Sequence, residues 1–292
     1  MSVKIKDIAI EVGDRCNFKC EHCGSGDGKN RKLSKNEISL IQNETLKYKF
    51  ERLLFVGGET TLYVQEINQV LSGLKTLSNA KVTITTNGHF AKTVPAARAM
   101  LSDFLRLDSV QLSYDKFHCK FLPFKRVRNL RNACKSLGIE FSVLTAIQDP
   151  MDLVLLKTLW KLDGVRVGIS KVLPIGNAKR NNIGMQYPCF NKDVLLERCP
   201  GLNSIIYLCG RGFTSCCSVL TRNNKGDALF GETVDGFLKK PFYSMMASST
   251  FSDLAKKFKV SVNGLGPEYS SHCVLCGYVF SKKQGRTWLA RN

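Results

Sequence analysis

Three cysteines fall within eight residues, Cys16-Asn17-Phe18-Lys19-Cys20-Glu21-His22-Cys23, directly after a β-rich run at 6–12. Soft ligands packed this closely require a loop at a strand end that turns them toward one point. The chain has 12 cysteines in 292 residues. No run of about 18 apolar residues is present to span a membrane. The start, Met1 to Asp7, alternates charged and apolar residues and lacks the apolar core of a signal peptide. The expected location is therefore the cytoplasm, where disulfides rarely persist and clustered thiolates more often hold zinc or iron–sulfur clusters. Taken alone, the triplet fits two arrangements. One is a cubane with three irons ligated and a fourth left open; the other is zinc held with His22 or a fourth ligand elsewhere.

Up to about residue 175, short β-rich runs at 6–12, 52–57, 81–86, 108–114, 139–147 and 164–172 alternate with amphipathic stretches near 35–48, 63–77, 95–105, 124–137 and 151–161. Ser34-Lys35-Asn36-Glu37 has the spacing of a capping box. Val127, Leu130, Cys134 and Leu137 share one helical face. Six β-then-α units predict a parallel sheet with right-handed crossovers, with the chemistry in loops at the strands' C-terminal ends. After Pro174 the rhythm stops. Residues 203–219 read as a β-hairpin, 220–249 as an ordered loop at best, 250–259 as a short helix and 273–288 as a helix. The expected division is 1–180 and 181–292.

Further signals lie on successive strand ends. The second strand ends Phe55-Val56-Gly57-Gly58-Glu59-Thr60, which by itself is a tight turn with an acid able to accept from an amine. The third ends Thr85-Thr86-Asn87-Gly88. The fourth ends Ser113-Tyr114-Asp115, whose alternation puts Ser113 and Asp115 on one side. In that order, with Cys16, Cys20 and Cys23, these motifs resemble the radical S-adenosylmethionine (radical SAM) superfamily across about residues 6–178. The resemblance implies a partial (β/α)6 TIM-type barrel. It also implies a 4Fe–4S cluster on the three cysteines with S-adenosylmethionine at the open iron, and reductive formation of a 5′-deoxyadenosyl radical. It further implies that Gly57, Gly58 and Glu59 hold the methionyl amine, and that Asn87, Ser113 and Asp115 serve the same cofactor. His22 stands where the family usually has an aromatic residue. Thr145 and Val172 are candidates for lining the adenine. Pro174-Ile175-Gly176-Asn177-Ala178 resembles a segment of peptide-modifying members, with Asn177 in place of arginine.

Seven more cysteines follow residue 180: Cys189, Cys199, Cys209, Cys216, Cys217, Cys273 and Cys276. A hairpin pair plus the distant Cys273-Val274-Leu275-Cys276 can close a four-thiolate site, with a zinc ribbon as the structural alternative. The pattern resembles the auxiliary-cluster appendages called twitch and SPASM. That implies a second 4Fe–4S cluster on Cys199, Cys217, Cys273 and Cys276, with Cys216 as the alternative to Cys217. Cys134 belongs to its helix's apolar stripe. Cys119 and Cys209 are candidates to donate a hydrogen atom, as a cysteine does in peptide epimerases of the superfamily.

The formal charge is +19. Seven basic residues and no acid run from Lys116 to Lys135, and the five that fall on the helical stretch 124–137 lie away from its apolar face. This suits an acidic partner, such as an acidic peptide leader. No nucleic-acid-binding module is recognisable. With fifteen residues before Cys16, the expectation is that no separate leader-binding domain precedes it. The expected activity is hydrogen abstraction from a ribosomally made peptide, leading to epimerisation, a thioether or a carbon–carbon crosslink. The alternatives are a dehydrogenase acting on a small-molecule alcohol and a zinc and nucleic-acid-binding module. A radical SAM enzyme also implies an electron donor such as flavodoxin or ferredoxin.

Overall fold

Each of the six β-rich runs forms a strand, and five of the helical stretches follow them in the expected order. The computed structural model describes residues 5–25, 28–74, 79–162, 164–223 and 226–291. The strands are β1 (Asp7–Glu11), β2 (Arg52–Val56), β3 (Lys81–Thr86), β4 (Ser109–Ser113), β5 (Glu140–Ile147) and β6 (Arg166–Lys171). They pair in parallel, each with the next. The helices between them are α1 (Lys35–Tyr48), α2 (Val64–Ser72), α3 (Val94–Ser102), α4 (Phe124–Ser136) and α5 (Leu156–Leu159). Parallel strands buried on both faces need long apolar side chains. Ile8, Ile10, Phe55, Val82, Ile84, Val110 and Leu112 supply them, all within 1% of full burial.

Local chemistry sets the helix ends. Ser34 and Glu37 form the expected capping box at α1, and Lys49 ends it in the left-handed conformation. Thr93 caps α3, with Pro95 in its first turn. The stretch at 151–161 is shorter than expected as an α-helix. Asp149 caps a 3-10 turn over Pro150–Leu155, and only Leu156–Leu159 is α-helical. The stretch at 63–77 forms α2 through Ser72, and its residues 75–77 lie outside those described.

The sheet does not stop where the barrel rhythm stops. β7 (Ser204–Leu208) joins the free side of β1 in parallel, and β8 (Gly212–Thr214) pairs with β7 antiparallel. The order is β6-β5-β4-β3-β2-β1-β7-β8, so strands run continuously past residue 180. A short helix, α6 (Gly176–Arg180), follows β6. The expectation of a loop over 220–249 is corrected: α7 (Val219–Asn223), α8 (Val234–Leu238) and α9 (Pro241–Ser248) occupy it. Val234, Phe237, Phe242, Met245 and Met246 are buried there, and that burial orders a segment whose local sequence is rich in Gly, Asp and Ser. α10 (Phe251–Lys257) is as expected. The tail forms two helices rather than one, α11 (His272–Ser281) and α12 (Lys283–Arg291), because Lys282 is extended. No helix among the described residues is long and apolar enough to cross a membrane.

Side chains of α1 tie the later elements to it, Glu44 among them, which accepts from the Val234 backbone N–H at 2.8 Å. Lys47 and Tyr48 both bind the Asp235 carboxylate at α8. Glu37 accepts from the Tyr207 hydroxyl at 2.9 Å and from the Gly210 backbone N–H at 2.8 Å, besides capping its own helix. Burial works to raise the Glu37 pKa, but these donors and those of Ser34 hold it below the ordinary value. The contribution of the ionised carboxylate is therefore present above the unfolded-state pKa and is lost as pH falls through the lowered one. Glu37→Ala is expected to lower stability by about 2 kcal/mol at neutral pH, and by less in acid. Urea titrations at pH 7 and pH 3.5 would show this. An equal loss at both would contradict it.

Candidate active site

The loop after β1 carries Cys16, Cys20 and Cys23 to the C-terminal edge of the sheet. Its shape is held by backbone. Gly58 N–H donates to Gly13 O and Glu59 N–H to Arg15 O, each at 2.9 Å. A Cβ on Gly58 would lie 2.0 Å from Arg15 O, so the glycine there serves the close approach of the cysteine loop itself. From the far side, Asn177 N–H donates to Cys23 O at 2.8 Å and its Nδ2 to Cys20 O at 3.2 Å. Gly176, at φ +56°, is equally constrained, since a Cβ there would meet Cys23 O and Gly24 O at 2.5 Å. The Pro174–Ala178 segment thus clamps the loop, and Asn177 in the arginine position does so through its amide.

A cavity of about 310 Å³ opens beside the three thiols. Gly57, Gly58, Thr86, Asn87, Ser113 and His22 line it, together with Phe18, His118, Ile175, Cys217 and Arg222. A second hollow of about 230 Å³ shares His22 and Ser113 and adds Asp115, Val172 and Leu173. Cys16, Cys20, Cys23, His22, Gly57, Gly58, Asn87, Ser113, Asp115 and Val172 are therefore brought together. Asn87 Nδ2 lies 3.6 Å from Cys16 Sγ and 2.7 Å from Asn17 Oδ1.

Two expected residues are placed otherwise. Glu59 is fully buried and does not line the cavity. Its carboxylate accepts from Thr61 Oγ1 at 2.7 Å, Thr86 Oγ1 at 2.5 Å and Asn87 N–H at 2.8 Å, which ties the end of β2 to that of β3. Of the Gly-Gly-Glu triplet, only the glycines face the cavity. Thr145 is also fully buried and donates to Tyr114 O at 3.0 Å; its neighbours Leu144 and Ala146 line the second hollow, as strand alternation requires.

The electrostatics suit soft-metal ligation. Burial, reinforced by Cys23 and Cys16, pushes the Cys20 thiol up to about 12, and burial also raises Cys16. Three thiols whose charges oppose one another in a partly buried loop want a cation among them. Burial takes the His22 imidazole down to about 4, so it is neutral. Its ring stacks on Phe117 with centroids 4.3 Å apart. Burial works to raise Asp115, but the His118 contact at 2.9 Å and the His118 backbone N–H hold its carboxyl below the ordinary range.

A second thiol cluster lies in the later half. Cys199, Cys216, Cys273 and Cys276 line one apolar pocket with Phe242, Met246 and Phe251. Burial raises Cys199, Cys273 and Cys276; Cys216 bears on all three, and Cys273 reaches about 11. Of the expected pair, it is the alternative, Cys216, that lines this pocket, although Cys217 is close enough to bear electrostatically on Cys199 and Cys273. Cys216 faces it, and Cys217 points into the cavity beside Cys16, Cys20 and Cys23. Residues 215–218 link β8 to α7, and the two neighbouring thiols of that link line different hollows. Cys217 is accessible to solvent through the cavity yet hemmed in by protein.

Neither hydrogen-donor candidate from the sequence lines the main cavity. Cys209 is 2% exposed near Glu37 and Glu11, and burial pushes it up to about 12. Cys119 packs beside Tyr114. Sequence reasoning also missed Arg222, whose Nη2 lies 2.7 Å from Glu11 Oε2 at the end of β1. Nothing local marks Arg222, whereas the Cys-Cys doublet was a usable signal for Cys217.

Comparison with known proteins agrees with this geometry. Residues 10–145 match the sequence profile of the radical SAM superfamily. Curated relatives include the probable GTP 3′,8-cyclase of Saccharolobus solfataricus, 33% identical over 90 residues that cover 30% of this chain and 29% of the cyclase. The enzyme of the same description from Sulfolobus acidocaldarius is 32% identical over 92 residues, covering 30% and 29%. The match thus spans less than a third of those relatives' length. Among solved structures, anSMEcpe with bound AdoMet and Cp18Cys peptide superposes at a TM-score of 0.58, with 14% identity and 98% of both chains covered. BtrN in complex with AdoMet and 2-DOIA gives 0.55, at 12% identity over 91% of this chain and 98% of BtrN. Streptococcus suis SuiB bound to precursor peptide SuiA gives 0.54, at 16% identity over 92% and 76%. At these identities the likeness is one of fold.

Proposed function

Residues 10–145 are a radical SAM domain, and on that premise we propose that this chain is an S-adenosylmethionine-dependent enzyme that removes a hydrogen atom from a peptide and returns one through Cys217, inverting a carbon centre. The observation that carries this reading is the Cys217 thiol in the cavity of Cys16, Cys20 and Cys23. A 4Fe–4S cluster on those three cysteines, with S-adenosylmethionine, would supply a 5′-deoxyadenosyl radical. The donor set fits such a group: three thiols and neighbouring glycines line one cavity.

The chain's own residues do the rest. Asn177 and the Gly58 backbone hold the cysteine loop. Neutral His22 and the Ser113–Asp115 strand end line the part of the cavity suited to a nucleoside. Cys217 offers an S–H bond weaker than the C–H, N–H and O–H bonds around it. The substrate gives one hydrogen atom to the deoxyadenosyl group and accepts one from Cys217 on the opposite face. The sulfur is then short of one electron and one proton, which a flavodoxin- or ferredoxin-class donor and solvent restore.

Residues 181–292 are assigned in this reading to an auxiliary domain, with a second 4Fe–4S cluster on Cys199, Cys216, Cys273 and Cys276 and the enzyme placed in the cytoplasm. The peptide substrate is favoured by the fold shared with peptide-bound anSMEcpe and SuiB. Anaerobic reconstitution should give about eight irons per chain, and dithionite should then release 5′-deoxyadenosine from S-adenosylmethionine. Peptides encoded beside the gene, incubated in D2O, should gain a single deuterium at one α-carbon. Zinc in place of iron with no cleavage would sink the enzyme. Oxidation of an added alcohol with no peptide change would replace the substrate class.

A further inference from the structure

The hollow beside the cysteine loop holds a second set of metal-ligating side chains, of which the proposed reaction uses only part. Asp115, just past β4, is 1% exposed. Its Oδ1 accepts from the Phe117 and His118 backbone N–H groups at 2.9 and 3.0 Å. Two imidazoles stand against the same carboxylate. His118 Nδ1 lies 2.9 Å from Oδ1, and His22 Nε2 lies 3.5 Å from Oδ2. One ligand atom from each of the three residues lies within 4.8 Å of the others. Lys116, next in sequence, turns away to pair with Asp152 at 2.9 Å. Hydrogen bonding does not satisfy the rings, since His22 Nδ1 and His118 Nδ1 are both buried without a partner among the described residues. Packing fixes where the rings lie: His22 stacks on Phe117 at 4.3 Å, and His118 meets His22 edge-on at 5.2 Å.

Two donors on one metal ion at about 2.1 Å stand about 3.0 Å apart at a right angle and about 3.4 Å apart at the tetrahedral angle. The spacings of 2.9 and 3.5 Å match these, with the carboxylate offering one oxygen to each ring. A buried carboxylate is a costly charge to leave uncompensated, and a divalent ion would neutralise it. Two nitrogens and one carboxylate suit zinc, iron(II) or manganese(II) rather than magnesium or calcium, which take oxygen ligands. All three residues line the hollow of about 230 Å³, which leaves space for water or a further ligand on the ion. We infer that His22, Asp115 and His118 form a binding site for a divalent first-row transition metal, and that this ion competes with S-adenosylmethionine for the hollow. The ion is separate from the cluster on Cys16, Cys20 and Cys23, whose thiols are not among its ligands. Metal and nucleoside draw on the same His22 and Asp115 side chains, so one excludes the other. The competition rests on the function proposed above; the metal site does not.

The test uses the reconstituted full-length chain, freed of loosely held metal on a chelating resin, with Mn2+ as the probe. Manganese stands lowest in the affinity order of these ions and is poorly matched to thiolates, which keeps it off the remaining cysteines. Free Mn2+ is counted by electron paramagnetic resonance, and bound Mn2+ is examined by electron spin echo for modulation from imidazole nitrogen. Wild type should bind about one Mn2+ per chain with that modulation. His118→Ala should weaken binding at least about tenfold, with iron content equal to wild type showing that the chain still folds. His89→Ala removes another ring whose Nδ1 is buried without a partner, but it lies outside the triad and should leave binding within about twofold. Saturating S-adenosylmethionine should weaken Mn2+ binding at least about tenfold, and Mn2+ should weaken S-adenosylmethionine binding by the same factor. Bound Mn2+ without nitrogen modulation, or equal binding by His118→Ala, would show an adventitious ion only and overturn the site. Equal Mn2+ affinity with and without S-adenosylmethionine would overturn the competition. Failure of the metal-free wild type to cleave S-adenosylmethionine under dithionite would instead overturn the proposed function and leave the metal site standing.

Discussion

Cys217→Ala should retain S-adenosylmethionine cleavage within about twofold of wild type while lowering formation of the inverted product by a factor of about 100 or more. The variant keeps Cys16, Cys20, Cys23, Asn87 and the glycine wall, which together shape the cavity. It removes only the Cys217 sulfur from the lining. A substrate radical formed there then has no S–H partner, and the neighbouring hydrogens on Arg222 and Ile175 are held by stronger bonds. Cys217→Ser is the sharper control. It keeps size and polarity, but an O–H bond does not surrender its hydrogen atom to a carbon radical, so it should fail like alanine. The measurement is the ratio of inverted peptide to 5′-deoxyadenosine, with deuterium from D2O at the inverted carbon as the marker of the thiol route. Full product from Cys217→Ser would show that the hydrogen comes from elsewhere.

Iron content should divide the cysteine doublet. Cys216→Ala is expected to fall from about eight irons per chain to about four, and Cys217→Ala to stay at about eight. Cys216 shares an apolar pocket with Cys199, Cys273 and Cys276, so its loss leaves three thiols among the residues lining that pocket. Cys217 faces the opposite cavity. Iron and sulfide assays, with Mössbauer spectra to separate the two cluster populations, give the answer. The reverse pattern would return Cys217 to the auxiliary set and remove the basis for its catalytic role. The two predictions therefore stand or fall on one geometric feature, read by independent measurements.

Much of this is legible in the amino-acid sequence. The six parallel strands were readable because a strand buried on both faces must be apolar, and their ends were marked by Gly, Asn and Asp. The cysteine loop and its partners Gly57, Gly58, Asn87 and Ser113 were readable because each sits at a strand end in order. Glu59 and Thr145 were misplaced for a common reason. At the end of a strand, one residue faces the cavity and the next faces a neighbouring strand, and composition does not say which. The segment at 220–249 was unreadable for another reason. Its helices are stabilised by Phe237, Phe242, Met245 and Met246 meeting a distant core, not by local propensity.

Sequence alone thus determined a parallel α/β scaffold, a three-cysteine loop at its C-terminal edge and a cysteine-rich later half, because spacing and alternation are local properties of the chain. Tertiary structure alone decided that β7 extends the sheet past residue 180, that Glu59 braces β2 against β3, and that Cys216 and Cys217 serve different cavities. Those outcomes depend on which distant surfaces meet. For two adjacent cysteines in the link between β8 and α7, only the packing of those elements against the sheet selects the side each thiol occupies.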